Sequence, residues 1–175
     1  MQIFLAITLL IVTFLLLSVL VIFVFFLIDL FLAELPFVAT KKEKISTIIK
    51  LADIKSGQTV IDLGSGDGRL LLESAKKGAM AIGYELNPYL VLITIIRVKL
   101  NGLSHLVKIH KKNLWASDLK VADVIFVYGR KKTMQKFQNF VYKNAKKGTR
   151  FVVNDNPFPT KKPIKIENKV YLYKV

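Results

Sequence analysis

The chain has 175 residues, enough for one domain of ordinary size and hardly enough for two. It has no cysteine, which excludes disulfides, thiolate nucleophiles and Cys-ligated metal, and gives no sign of an oxidising compartment. The 27 Lys and Arg against 12 Asp and Glu give a net charge of +15, while 53% hydrophobic residues and a mean hydropathy of +0.43 are high for a soluble protein.

The apolar excess is local. Residues 3–28 carry no ionisable side chain, and only Thr8, Thr13 and Ser18 among them are polar. Crossing a bilayer takes about 20 apolar residues, so 1–28 predicts a transmembrane helix. A cleaved signal peptide would bring a cationic start, a shorter apolar stretch and a small-residue cleavage site, and none of these is seen. Every Lys and Arg follows Thr40, with ten of the 12 acids, so this part carries +17. The positive-inside tendency puts it in the cytoplasm, which makes the expected product a single-pass membrane protein. A basic face can bind nucleic acid, but a cationic domain tethered beside anionic lipid gains from the surface potential without a specific partner. The lipid bilayer is therefore the expected partner, in preference to nucleic acid. His105 and His110 are five apart with no acidic cluster nearby, so no metal site is expected.

Residues 29–44 read as a connector that holds Leu35-Pro36-Phe37-Val38-Ala39-Thr40, where Pro36 disfavours continued helix. The 13–16 residues between 28 and the next helix reach at most about 50 Å when fully extended. Ile45, Ile48, Ile49 and Ala52 then recur at helical spacing until Ser56-Gly57 stops them. Beyond that point β-branched runs alternate with helical ones, predicting strands at 59–63, 79–84, 106–111, 123–128 and 150–154. Helices are predicted at 68–77, 88–100 and 132–145. The tail 163–175 alternates well enough for one or two antiparallel edge strands. Residues 45–175 thus predict an α/β, Rossmann-like domain with helices on both faces of its sheet.

The run Val60-Ile61-Asp62-Leu63-Gly64-Ser65-Gly66-Asp67-Gly68 is a buried strand leading into a glycine-rich turn and a helix, where a nucleotide-like ligand belongs. Dinucleotide folds want glycine at G-x-G-x-x-G, but the third position here is Arg69, and Gly68 gives G-x-G-x-G instead. This favours S-adenosyl-L-methionine over NAD: the ligand has no pyrophosphate, and an acid just before the turn, Asp62, suits its ammonium group. Glu85, 21 residues after Gly64, ends the second strand, where an acid can accept hydrogen bonds from both ribose hydroxyls. Leu86 lies beside it, and Asn87-Pro88 starts the next helix with Asn as N-cap. After the third strand, Asn113 either reads the adenine amino group or is a turn residue. Leu114 can cover the ring, and Trp115 reads as core. Tyr128 is a candidate to line a substrate channel, with an ordinary strand-end tyrosine as the alternative. Asn156-Pro157-Phe158 follows the fifth strand rather than the fourth and has one proline, so it reads as a turn and not as an adenine-methylating motif.

Together, the N-terminal apolar helix, Pro36-Phe37-Val38-Ala39-Thr40, Asp62 to Arg69, Gly83-Tyr84-Glu85-Leu86-Asn87-Pro88 and Asn113-Leu114-Trp115 resemble the membrane-anchored protein-lysine methyltransferases. Known members of that family modify the c subunit of mitochondrial ATP synthase and the adenine nucleotide translocase. Two positions depart from the family pattern: Ala39 replaces a second proline, and Asn113 stands where an acid is frequent. The resemblance implies methyl transfer from S-adenosyl-L-methionine to a lysine of a membrane protein, with Asp62, Gly64, Ser65, Gly66, Asp67, Gly68, Glu85, Leu86, Asn87, Asn113 and Leu114 around the cofactor. It implies Pro36, Phe37 and Thr40 at the substrate entrance. A methyltransferase of a lipidic or small-molecule amine, and a relative that binds the cofactor without transferring methyl, are the competing expectations. No catalytic base is assigned.

Overall fold

The computed structural model describes residues 1–32 and 40–175, with side chains for 1–27 and 40–175; Pro36 and Phe37 of the expected entrance lie outside the described residues. The chain divides into two compact units, Met1–Pro36 and Phe37–Val175.

The first unit is helix α1, Gln2–Leu32, which runs past the end of the apolar stretch at 28. Its segment Gln2–Leu27 is long and apolar enough to cross a bilayer, a property that a signal sequence shares. Its few hydroxyls are satisfied within the helix. Thr8, Thr13 and Ser18 donate to the carbonyls of Phe4, Leu9 and Phe14 at 2.9, 3.0 and 2.8 Å, which removes the cost of carrying them into an apolar medium.

The second unit is built on one sheet with strands β1 Thr59–Leu63, β2 Met80–Glu85, β3 Val107–Lys111, β4 Val124–Tyr128, β5 Arg150–Asn154, β6 Lys165–Glu167 and β7 Val170–Lys174. Its order is β3-β2-β1-β4-β5-β7-β6. The first five strands are parallel. The tail forms both strands expected of it, but only β6 is an edge, because β7 inserts antiparallel between β5 and β6. Between β1 and β4 the winding reverses, and this switch point is where open parallel sheets bind ligands, outside the carboxyl ends of their strands.

Helices α2 Lys42–Ala52, α3 Arg69–Lys76 and α4 Pro88–Leu100 join the strands with α5 Met134–Asn144. α2 starts three residues before the periodicity at Ile45 indicates, since its first turn, Lys42 to Lys44, is polar and carries no apolar mark. Strand residues alternate between faces with a period of two. One row, Val60, Val124, Phe126 and Val152, joins Ile48, Leu51 and Ala52 of α2 and Leu70 of α3 in the core. On the opposite row Phe151 meets Tyr142 of α5, ring centroids 5.5 Å apart, and pairs in register with Tyr173.

The first of these rows explains the site. Continuing it toward the carboxyl ends of β1, β4 and β5 replaces Val60, Phe126 and Val152 by Asp62, Tyr128 and Asn154. One face of the sheet is therefore apolar below and polar at its upper rim, and the rim lies at the switch point.

Candidate active site

Gly64, Gly66 and Gly68 have φ of +90°, +56° and +74°, so the turn after β1 uses the left-handed region at alternate residues. Gly68 has a second constraint. A Cβ there would come 2.4 Å from the Thr94 methyl carbon, so its bareness serves the packing of α4 against the turn. Gly83 of β2 is bare for the same kind of reason, since a Cβ would lie 2.5 Å from Leu71 Cδ1 and 2.7 Å from Ser65 Oγ. Its φ is not left-handed, so Gly83→Ala tests space alone. Overpacking of about 1–3 kcal/mol is expected, read as a lower urea midpoint at unchanged slope. An unshifted midpoint would mean that Leu71 and Ser65 yield freely.

Glu85 is positioned from both sides. Its Oε2 accepts from Gly66 N–H and its Oε1 from Asn87 N–H, each at 2.9 Å. The carboxylate thus ties the glycine turn to the start of α4. Asn87 is the expected N-cap, accepting from Tyr89 N–H at 2.9 Å, and Pro88 takes the first helical position. Leu86 is exposed beside it. Ser65 Oγ is buried beside Gly83 with no hydrogen-bond partner among the described residues.

Asp67 shapes the turn from beneath. Arg69 holds it through Nε at 2.9 Å and a second nitrogen at 2.5 Å, and Arg97 of α4 reaches Oδ2 at 3.0 Å. Burial pushes the Asp67 carboxyl up, but these guanidinium hydrogen bonds outweigh it and hold the group below the usual carboxylate range. Arg69 also donates to the Thr40 carbonyl at 2.6 Å, so the one described residue of the expected entrance is linked to the glycine turn. Neither arginine's role shows in the sequence beyond the Asp67-Gly68-Arg69 run.

Asp62 is 5% exposed. Burial, then the neighbouring Glu85 and Asp67 carboxylates, push its pKa up to about 7. Asp62 shares a cleft with Thr40, Phe126, Tyr128 and Asn154, which connects the glycine turn to the ends of β4 and β5.

At that far end Lys44 of α2 pairs with Asp155 and donates to Asn154 Oδ1 at 3.3 Å. Asp155 has a left-handed φ of +62°. Burial raises the Tyr128 pKa, and its hydrogen bond to Asp155 adds to this, so the phenol keeps its proton at neutral pH. Sequence reading missed Lys44, Asn154 and Asp155. Asn156 donates to Gly129 O at 2.8 Å, consistent with a turn.

Asn113 accepts from Trp115 N–H at 3.1 Å and so caps the 3-10 turn Leu114–Ala116. Leu114 is buried. Trp115 packs on Phe137 and Phe140 with ring centroids 4.6 and 5.3 Å away, in agreement with a core reading.

A seven-stranded sheet of this order, with a glycine turn after β1 and an acid at the end of β2, defines the class I, Rossmann-like methyltransferase fold. A solved RNA methyltransferase from Salinibacter ruber in complex with S-adenosyl-L-homocysteine superposes with a TM-score of 0.75 at 28% identity, over 78% of this chain and 93% of that one. Residues 62–165 match the ANTKMT methyltransferase domain, and the chain belongs to this family. It is 30% identical to the human lysine N-methyltransferase of the ATP synthase c-subunit over 71% of its own length and 53% of that protein's, so it spans about half of that relative. It is 27% identical to a protein-lysine N-methyltransferase of Saccharolobus islandicus, over 82% of this chain and 95% of that protein.

Proposed function

We propose that the protein transfers the methyl group of S-adenosyl-L-methionine to a lysine side chain of a protein in or beside a membrane. The observation that carries this is the acid cluster around the glycine turn. Asp62, held at about 7 by burial and by two other acids, lacks among the described residues the countercharge that a cationic amino-acid ligand would supply. Asp62 would face the ligand's ammonium, Glu85 its ribose hydroxyls, and Ser65 Oγ would gain a partner. The donor set therefore fits the cofactor. When bound, the cofactor supplies an electrophilic methyl carbon on a sulfonium.

What remains for the protein is positioning, because a neutral amine aligned about 3–3.5 Å from its target carbon needs little further help. A lysine with a free pKa of about 10.4 must give up its proton, and the cationic domain lowers that pKa. Tyr128 and Asn154 offer polar atoms at the other end of the cleft from the glycine turn, and the ammonium of Lys44 on Asn154 and the adjoining Asp155 supports an amine as the acceptor.

Incubation of the purified protein with methyl-labelled cofactor and membranes tests the reading. Label is expected in protein, on lysine. Label in lipid or in small amines would select the competing acceptor, label in RNA would follow the Salinibacter ruber relative, and none anywhere would leave a cofactor-binding relative. Glu85→Ala is expected to weaken cofactor binding by about 1.5–3 kcal/mol, the range for charge-assisted hydrogen bonds. Calorimetry reads it, and an unchanged dissociation constant would sink the ribose assignment.

The reading includes α1 as a single-pass anchor with residues 40–175 in the cytoplasm, because Lys41, Lys42 and Lys44 follow the apolar stretch and begin a strongly cationic segment. Protease added to sealed cytoplasm-side-out vesicles is expected to digest the domain. A protected domain would contradict this topology and its access to cytosolic cofactor.

A further inference from the structure

α4 is built inside out. Along Pro88–Leu100 its interior positions are Leu90, Thr94 and Val98. Thr94 is fully buried and donates to Gly66 O at 3.2 Å, and Arg97 turns its guanidinium onto Asp67. Two polar side chains of the helix thus serve the fold, and most of its apolar ones face out. Tyr89, Leu92, Ile93, Ile96 and Leu100 recur at spacings of three and four, lie on one face, and are 42% to 81% exposed. A helix of a water-soluble domain does the reverse. Beside it a mainly apolar groove lies between α4 and the edge strand β3, lined by Ile95, Val98, Val107 and Ile109 with Thr94 and Ser104.

Within the segment that carries this surface the charges have one sign: from Leu86 to Ser117 there is no Asp or Glu, while Arg97, Lys99, Lys108, Lys111 and Lys112 lie within it. Lys99 on the helix and Lys111, which shares the strand row of Val107 and Ile109, are both exposed, so the apolar surface has solvated cations beside it. This is the pattern of a helix that lies in the plane of a membrane interface, its apolar face about 5–10 Å into the headgroup boundary and its cations among anionic headgroups.

We infer that α4 is a membrane-contacting element of the second unit, docking its Tyr89–Leu92–Ile93–Ile96–Leu100 face on an anionic lipid surface. This rests on the membrane reading proposed above and adds to it a second, peripheral contact made by the catalytic domain itself. α4 begins directly after Glu85 and Leu86, so a docked α4 holds the cofactor side of the site at the bilayer surface. A second copy of the chain, or an apolar face of a protein partner, would account for the apolar stripe but gives no reason for a segment with cations and no acids from Leu86 to Ser117.

The absence of cysteine makes the test direct. Single-cysteine variants Ile93→Cys and Ile96→Cys of the full chain carry an environment-sensitive fluorophore, with Lys143→Cys on α5 as the exposed control and Leu16→Cys as the reporter on α1. The vesicles are phosphatidylcholine with phosphatidylglycerol, with and without a spin-labelled lipid quencher. Both α4 positions are expected to shift to the blue and lose emission to the quencher, more weakly in pure phosphatidylcholine, while Lys143→Cys stays unchanged. If Leu16→Cys is quenched and the α4 positions behave as Lys143→Cys, the inference fails and the anchor stands. If Leu16→Cys is also unquenched, the membrane reading itself fails. A blue shift on α4 without lipid quenching would mean that protein covers the face, and would equally overturn the inference.

Discussion

Asp62→Asn is expected to make the domain more stable and a worse binder of the cofactor at the same time. The group's pKa of about 7 in the fold lies above its ordinary 3.8. A raised acid favours the fold fully only below the unfolded value, and that contribution is lost as pH climbs through about 7. Above that point the fold carries a buried charge beside Glu85 and Asp67. Asparagine has nearly the same shape and no charge, so the variant should gain stability on the order of 1–3 kcal/mol at about pH 8 and roughly a third of that at about pH 5. Cofactor binding runs the other way, because the ligand's ammonium prefers the ionised acid. Affinity of the unmodified chain should fall as pH drops below about 7, by up to about tenfold per unit, and the variant should bind roughly 10- to 150-fold more weakly with a flat profile. Urea titrations from about pH 5 to 8 check the stability, and calorimetry from about pH 5.5 to 7, below the pKa of the ligand's own amine, checks the binding. A variant that keeps the steep pH profile would show that another group meets the ammonium.

This opposition between stability and binding is invisible in the sequence, although the residue that creates it is not. β1 and β5 lie at the predicted bounds 59–63 and 150–154, because buried parallel strands are short β-branched runs closed by turn residues. The Asn87 cap and the place of Glu85 at the end of β2 were legible for the same reason: each is a local rule within a few residues of chain. Long-range pairings follow no local rule. Lys44 and Asp155 are 111 positions apart, and Arg97 reaches Asp67 from a different helix, outside any motif. Periodicity announced α4 as a helix without saying which face turns inward, since apolar residues occupy nearly every position. It also underestimated α1, because the first acid, Asp29, ends an apolar run and need not end a helix. Trp115 shows the converse. A lone tryptophan after a strand is compatible with a base or a core, and only the rings of Phe137 and Phe140 decide between them.

Removing residues 2–28 is expected to separate chemistry from targeting. The glycine turn, Glu85 and Asp62 draw every contact described above from Thr40 and residues beyond it, so cofactor affinity should stay within about twofold in the truncated chain, as for changes at distant, independent sites. The acceptor is a different matter. If α1 spans the bilayer, a lysine just outside a membrane span meets the site as an intramolecular-like partner, and tethering of this kind raises overall engagement by about 10²–10⁴ without a new contact. Methylation of a membrane-embedded protein should therefore fall by about 10² or more, and methylation of a free lysine peptide should hardly change. The connector makes this more than an address. Thr40 lies at its end and accepts from Arg69, which in turn grips Asp67 beneath the glycine turn, so the chain entering α2 is bonded into the site. Comparing initial rates on the two acceptors at matched cofactor saturation gives the answer. Equal loss on both would mean that α1 supports folding, and no loss on either would mean that the domain finds the membrane without it, as a docked α4 would allow.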